Sequence, residues 1–155
     1  MSELRELYQE VIIDHGRHPR NFGVLPNANY YQEGFNPLCG DKIMLYVNEN
    51  NGVIFDLKFE GCGCAISMAS ASLMTEYLKG KSKDEIQEIF NVFHHWVMNE
   101  TDSDRHIEKL GKLAVLGGVR EFPSRVKCAT LAWHTLKAAL EGEKVRVTTE
   151  YEIIT

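Results

Sequence analysis

The chain has 155 residues, 44% of them hydrophobic and 25% charged, with a formal charge of -5. That length and balance suit one folded domain with its own core. The acidic balance and the lack of a dense Lys/Arg tract speak against nucleic-acid binding, and no apolar run is long enough to span a bilayer. The N-terminal Met1-Ser2-Glu3-Leu4-Arg5-Glu6 is charged, without a signal-peptide apolar stretch, so the expected location is cytoplasmic. In a reducing compartment, four cysteines point to metal binding or thiol reactivity rather than disulfides.

Ser2 to about His15 reads as a helix, because Leu4, Leu7, Tyr8, Val11 and Ile12 recur at three- and four-residue steps. Gly16, Pro19, Gly23 and Pro26 then break regular structure, and His15 and His18 at the break are expected to be solvated. Tyr30 to Phe35 reads as a first strand, interrupted by Asn36-Pro37-Leu38-Cys39-Gly40-Asp41. Two residues two apart in extended chain project to one side, so Cys39 and Asp41 can reach one cation.

Lys42 to Asn48 alternates, Asn51-Gly52 signals a hairpin turn, and Val53, Phe55, Leu57 and Phe59 alternate with Ile54, Asp56 and Lys58. An antiparallel hairpin brings its outer ends together. Cys39 and Cys64 are therefore expected side by side. Cys64 opens a helix to Leu78, where unsatisfied N–H groups and the helix dipole favour thiolate. Ser82-Lys83-Asp84-Glu85 is a capping-box start for a helix to about Val97. His94 and His95 near its end diverge by about 100° on a helix and are not expected to share a metal.

A polar loop is expected from Asn99 to Asp104, then a helix to Leu116 stopped by Gly117-Gly118. The last long helix, with Ser124 as its N-cap, carries the apolar stripe Val126, Ala129, Trp133, Leu136 and Leu140 and places Cys128 in its first turns. Gly142 ends it, and Val145 to Ile154 alternates weakly, as a terminal strand or a loose tail. One domain over 1–155 is expected, with about 143–155 as a C-terminal extension.

Cys39, Asp41, Cys64 and Cys128 thus offer three thiolates and one carboxylate. The set suits tetrahedral zinc and is also plausible for an iron–sulfur cluster. A harder carboxylate among thiolates fits a site that exchanges a ligand better than a purely structural one. Freeing one thiolate would supply a sulfur nucleophile.

The segments Asn36-Pro37-Leu38-Cys39-Gly40-Asp41, Gly63-Cys64-Ala65-Ile66-Ser67 and Arg125-Val126-Lys127-Cys128-Ala129-Thr130-Leu131-Ala132-Trp133 resemble the three signature regions of the IscU/SufU (NifU N-terminal-like) iron–sulfur assembly family. The resemblance runs from the first helix through Leu140. The chain looks like the SufU branch: it has extra residues between about Val92 and Gly118, and Lys127 stands where the IscU branch carries a histidine ligand. Phe122-Pro123-Ser124-Arg125 also replaces that branch's Pro-Pro-Val-Lys chaperone-docking motif.

The resemblance implies an α+β fold, a small three-stranded antiparallel sheet with helices on one face. It implies zinc on Cys39, Asp41, Cys64 and Cys128. It further implies a sulfurtransferase-like carrier that works with a pyridoxal-phosphate cysteine desulfurase of the SufS type. A partner histidine takes over a zinc position, Cys39 carries the persulfide, and sulfur passes to downstream iron–sulfur assembly proteins. Two other readings stay open: a scaffold that builds a [2Fe–2S] cluster on the same ligands, and a structural zinc module. Cys62 lies outside the family pattern; it is a bystander thiol on a turn, a competing ligand, or a thiol that resolves a persulfide as a disulfide.

Overall fold

The computed structural model describes residues 2–98, 104–142 and 147–148. The polar loop expected at 99–103 and most of the weakly alternating C-terminal stretch lie outside the described residues. Helix α1 (Ser2–Arg17) leads into a long loop and then three antiparallel strands, β1 (Tyr30–Asn36), β2 (Asp41–Asn50) and β3 (Val53–Cys62). Helices α2 (Ala65–Leu78), α3 (Lys83–Val97) and α4 (Asp104–Leu110) follow, then a 3-10 helix (Gly111–Val119) and helix α5 (Pro123–Leu140). A two-residue strand, β4 (Val147–Thr148), pairs parallel with β1, giving the order β3-β2-β1-β4. The expected three-stranded sheet is therefore present, with this short addition on the β1 side.

The hairpin turn forms where Asn51 and Gly52 both take positive φ, 52° and 81°, the backbone that an Asn-Gly pair adopts most readily. β3 departs from the expected alternation. A register shift between Asn48 and Glu49 sets Asn48 opposite Asp56 and Glu49 opposite Ile54, leaving Phe55 as the extra residue. Such a bulge switches the face that following side chains take. Ile54, Leu57 and Phe59 are therefore buried, while Val53 and Phe55 are exposed.

The buried sheet face (Ile43, Leu45 and Val47 of β2 with those three of β3) meets α2 and α5. Helix α2 is apolar or small on nearly every side, with Ala69, Ser70, Ala71 and Ser72 all buried, as a central helix must be. Its small side chains allow close neighbours. Ser70 Oγ donates to Ala129 O of α5 and accepts from Trp133 Nε1, and Trp133 stacks on Phe93 of α3 at 4.2 Å. On the other side Ser72 Oγ meets His15 Nδ1 at 2.7 Å and accepts from Arg20 N–H at 2.8 Å. His15 is thus buried against α2, contrary to the solvated loop position expected for it.

Two helix boundaries also differ. Pro123 takes the first position of α5, so Phe122, not Ser124, is the N-cap residue, and it makes no side-chain cap. Gly117-Gly118 does not stop the preceding helix, which continues as 3-10 through Val119. Gly117 is there for space: a Cβ would run into the Trp96 indole. Among the described residues no helix is long and apolar enough to cross a membrane.

Candidate metal centre

Three chain reversals bring the donors together. β1 ends at Asn36, a turn at 37–40 follows, and Asp41 opens β2 directly opposite Asn36. Cys39 is exposed on that turn, not in extended chain. At the far end of the β2–β3 hairpin Lys42 pairs with Cys62, and two residues later Cys64 caps α2. The third reversal brings in α5, whose sixth residue is Cys128.

Asp41 lies at the middle and is wholly buried. Its Oδ1 accepts the Cys64 backbone N–H at 2.7 Å, and its Oδ2 accepts Asn36 Nδ2 at 3.1 Å. The Cys64 thiol donates toward Asp41 Oδ2 at 3.9 Å. The Cys128 thiol donates to Cys39 Sγ at 3.3 Å and accepts from Asn36 Nδ2 at 3.3 Å. The ligand atoms of Cys39, Asp41 and Cys128 all lie within 4.8 Å of one another. The expected fourth donor, Cys64, lies outside that mutual 4.8 Å group and touches it through Asp41 and through Cys128, which perturbs its thiol.

The cradle is closed beneath by Gly63, where a Cβ would strike Asp41 Oδ1. Ser67 sits one helical turn beyond Cys64. Its N–H donates to Cys64 Sγ at 3.4 Å, while its buried hydroxyl has no partner among the described residues.

Burial pushes the Cys64 thiol above its ordinary range, and the Ser67 N–H only partly offsets this. Burial pushes the Cys128 thiol up further, helped by Cys39, Asp41 and Cys64 around it. The helix-dipole effect expected to favour thiolate is outweighed at both cysteines. Cys128 also sits beyond the first turn, where the dipole acts. A cation reverses this balance, because it favours deprotonated sulfur.

The remaining candidates stay outside the cluster. Cys62 is exposed at the end of β3. His18 is exposed, and His15 is committed to Ser72. The rings of His94 and His95 stand 78° apart, and His94 instead faces His134 of α5 at 5.9 Å. Asn36 and Gly63 are the site residues whose roles sequence reasoning missed. Both stood inside quoted motifs, but neither residue type is a metal donor.

A family model described as NifU-like N terminal domain matches residues 7–129. The chain is 42% identical over 143 residues to "Zinc-dependent sulfurtransferase SufU" of Bacillus subtilis, covering 92% of this chain and 95% of that one. It is 39% identical over 135 residues to "Iron-sulfur cluster assembly scaffold protein IscU" of Thermotoga maritima, covering 87% and 93%. Its fold superposes with a TM-score of 0.80 on the crystal structure of FiSufU from Fervidobacterium islandicum AW-1. That protein is 36% identical, and the match covers 88% of this chain and 98% of that one. The chain thus belongs to the NifU-like N-terminal domain family, as a SufU-type member of its IscU/SufU iron–sulfur cluster assembly group.

Proposed function

We propose that the protein is a zinc-dependent sulfur carrier of iron–sulfur cluster assembly, with Cys39, Asp41, Cys64 and Cys128 as the zinc ligands. The donor chemistry fits. Tetrahedral zinc with about 2.3 Å to sulfur and about 2.0 Å to oxygen needs sulfur–sulfur edges of about 3.8 Å and sulfur–oxygen edges of about 3.5 Å. The Cys39–Cys128 separation of 3.3 Å and the Cys64–Asp41 separation of 3.9 Å each lie within about half an ångström of the corresponding edge. Bound there, zinc would hold buried thiols as thiolates at neutral pH while damping their reactivity.

One observation carries the reading: Cys39 is exposed on a turn while its fellow donors Asp41 and Cys128 are buried. It is the most exposed of the four donors, Cys64 being half-buried, and so the one a second protein reaches most readily. Its thiolate attacks the outer sulfur of a cysteine persulfide on a desulfurase of the SufS type. A new S–S bond forms on Cys39, the old one breaks, and the desulfurase thiolate leaves. The desulfurase, not this chain, breaks the carbon–sulfur bond of cysteine. The carried sulfur then passes to downstream assembly proteins.

The names of the relatives support two versions of this role, since one is called a zinc-dependent sulfurtransferase and another a scaffold. One experiment separates them. The purified protein is mixed with a SufS-type desulfurase, cysteine and a mild reductant, and alanine is measured. A large gain that disappears in Cys39→Ala supports the carrier. A stable coloured cluster after anaerobic iron addition supports the scaffold. Zinc uptake with neither response leaves a structural module.

A further inference from the structure

Asn36 is uncharged and wholly buried, yet it touches the donor cluster at more points than any other non-donor side chain described there. Its carbonyl accepts the Leu38 N–H at 3.3 Å and so shapes the turn that carries Cys39. Its amide nitrogen donates to Asp41 Oδ2 at 3.1 Å and to Cys128 Sγ at 3.3 Å. Two protons meet two acceptors on two different elements, β2 and α5.

The four donors are therefore held unequally. Asp41 has N–H donors on both oxygens, Cys64 Sγ has the Ser67 N–H, and Cys128 Sγ has Asn36. Among the described contacts, Cys39 Sγ has only the Cys128 thiol, which ceases to donate once both sulfurs bind a cation. Hydrogen bonds to a ligating sulfur or carboxylate hold it in place and fix its direction, so such second contacts tune which ligands stay. We infer that Asn36 is a positioning residue that retains Asp41 and Cys128 as donors and so makes Cys39 the sulfur that departs. This rests on the zinc-site reading above.

The test uses zinc-loaded full-length protein as wild type, Asn36→Asp and Asn36→Ala. Asn36→Asp preserves size and the acceptor for Leu38 N–H, but it replaces the amide donor with a negative charge beside Asp41 and Cys128. Chelator competition gives zinc affinity, brief alkylation with peptide mapping gives the Cys39-to-Cys128 labelling ratio, and cobalt substitution gives the thiolate charge-transfer band. Asn36→Ala is expected to bind zinc at least about tenfold more weakly, the range for losing a contact behind a metal ligand, and Asn36→Asp, whose charge attracts the cation, less so. Their Cys39 preference should fall and their cobalt band should shift.

Wild-type affinity, ratio and band in both variants overturn the inference while leaving the zinc site standing. Wild-type protein that takes up no zinc overturns both. If neither variant folds, the wild-type protein decides. Its Asn36 side-chain amide protons should exchange more slowly with zinc than without, and equal exchange refutes the inference.

Discussion

Replacing Gly63 by alanine probes the donor cradle with a single methyl. Gly63 does not need a left-handed backbone, so the substitution adds volume without imposing strain there. The new Cβ would overlap Asp41 Oδ1 and lie 3.0 Å from both Asp41 Cβ and Cγ. The carboxylate must turn away and gives up the Cys64 N–H bond of 2.7 Å. A hydrogen bond to a charged group is worth about 1.5–3 kcal/mol. At about 1.4 kcal/mol per factor of ten, zinc affinity should fall about 10- to 100-fold. The assay is chelator competition at fixed pH, with metal-free melting as a check on the fold. Gly52→Ala serves as control. Gly52 has φ +81 with nothing within 4 Å of its Cβ position, so that variant should lose about 1 kcal/mol of stability and no zinc affinity. Gly63→Ala with zinc affinity within threefold of wild type would show that Asp41 is not held as described.

The metal-free protein should melt earlier as pH drops from 7.5 to 5.5. Burial holds both His15 and His134 below their ordinary value of 6.5, with Arg20 adding for His15 and His94 and Lys137 adding for His134. The unfolded chain then binds more protons, so this stability is complete above about 6.5 and is lost as pH falls below it. A melting temperature that rises on acidification, or a slope unchanged in the His15→Gln, His134→Gln double variant, contradicts the assignment. Ser67→Ala removes a buried hydroxyl with no partner among the described residues and should melt at or above the wild-type temperature, a gain of up to about 1 kcal/mol; a clear loss would reveal a partner for that oxygen. Trp133→Ala should cost about 3–5 kcal/mol in chemical denaturation, because the indole stacks on Phe93 and donates to Ser70. A loss under about 2 kcal/mol would mean that the space collapses around the missing ring.

The hairpin was the legible part of the site. Asn51-Gly52 sets its turn, and the pairing of Lys42 with Cys62 then delivers Cys64 N–H to Asp41. The α5 stripe and the Ser82–Glu85 capping box were legible for the same reason: each is a local pattern with a local cause. What escaped depends on neighbours distant in sequence. The bulge at Asn48 and Glu49 that turns Phe55 outward leaves no mark in an alternating run. His15 looks like a loop residue until Ser72, 57 positions away, is placed against it. Gly117 reads as a helix breaker, although its purpose is room for Trp96. Asn36 reads as an ordinary turn residue, and its role exists only once Asp41 and Cys128 flank it.

The Asn36-to-Cys128 bond closes a span of 92 positions, and the Cys128-to-Cys39 contact one of 89. A nascent chain emerging from the ribosome therefore presents Cys39, Asp41 and Cys64 long before the last donor exists. Only the docking of α5 completes the set. A half-made protein lacks Cys128 and its contact with the buried Asn36 amide, so a cation held by all four side chains would be acquired only at the end of synthesis.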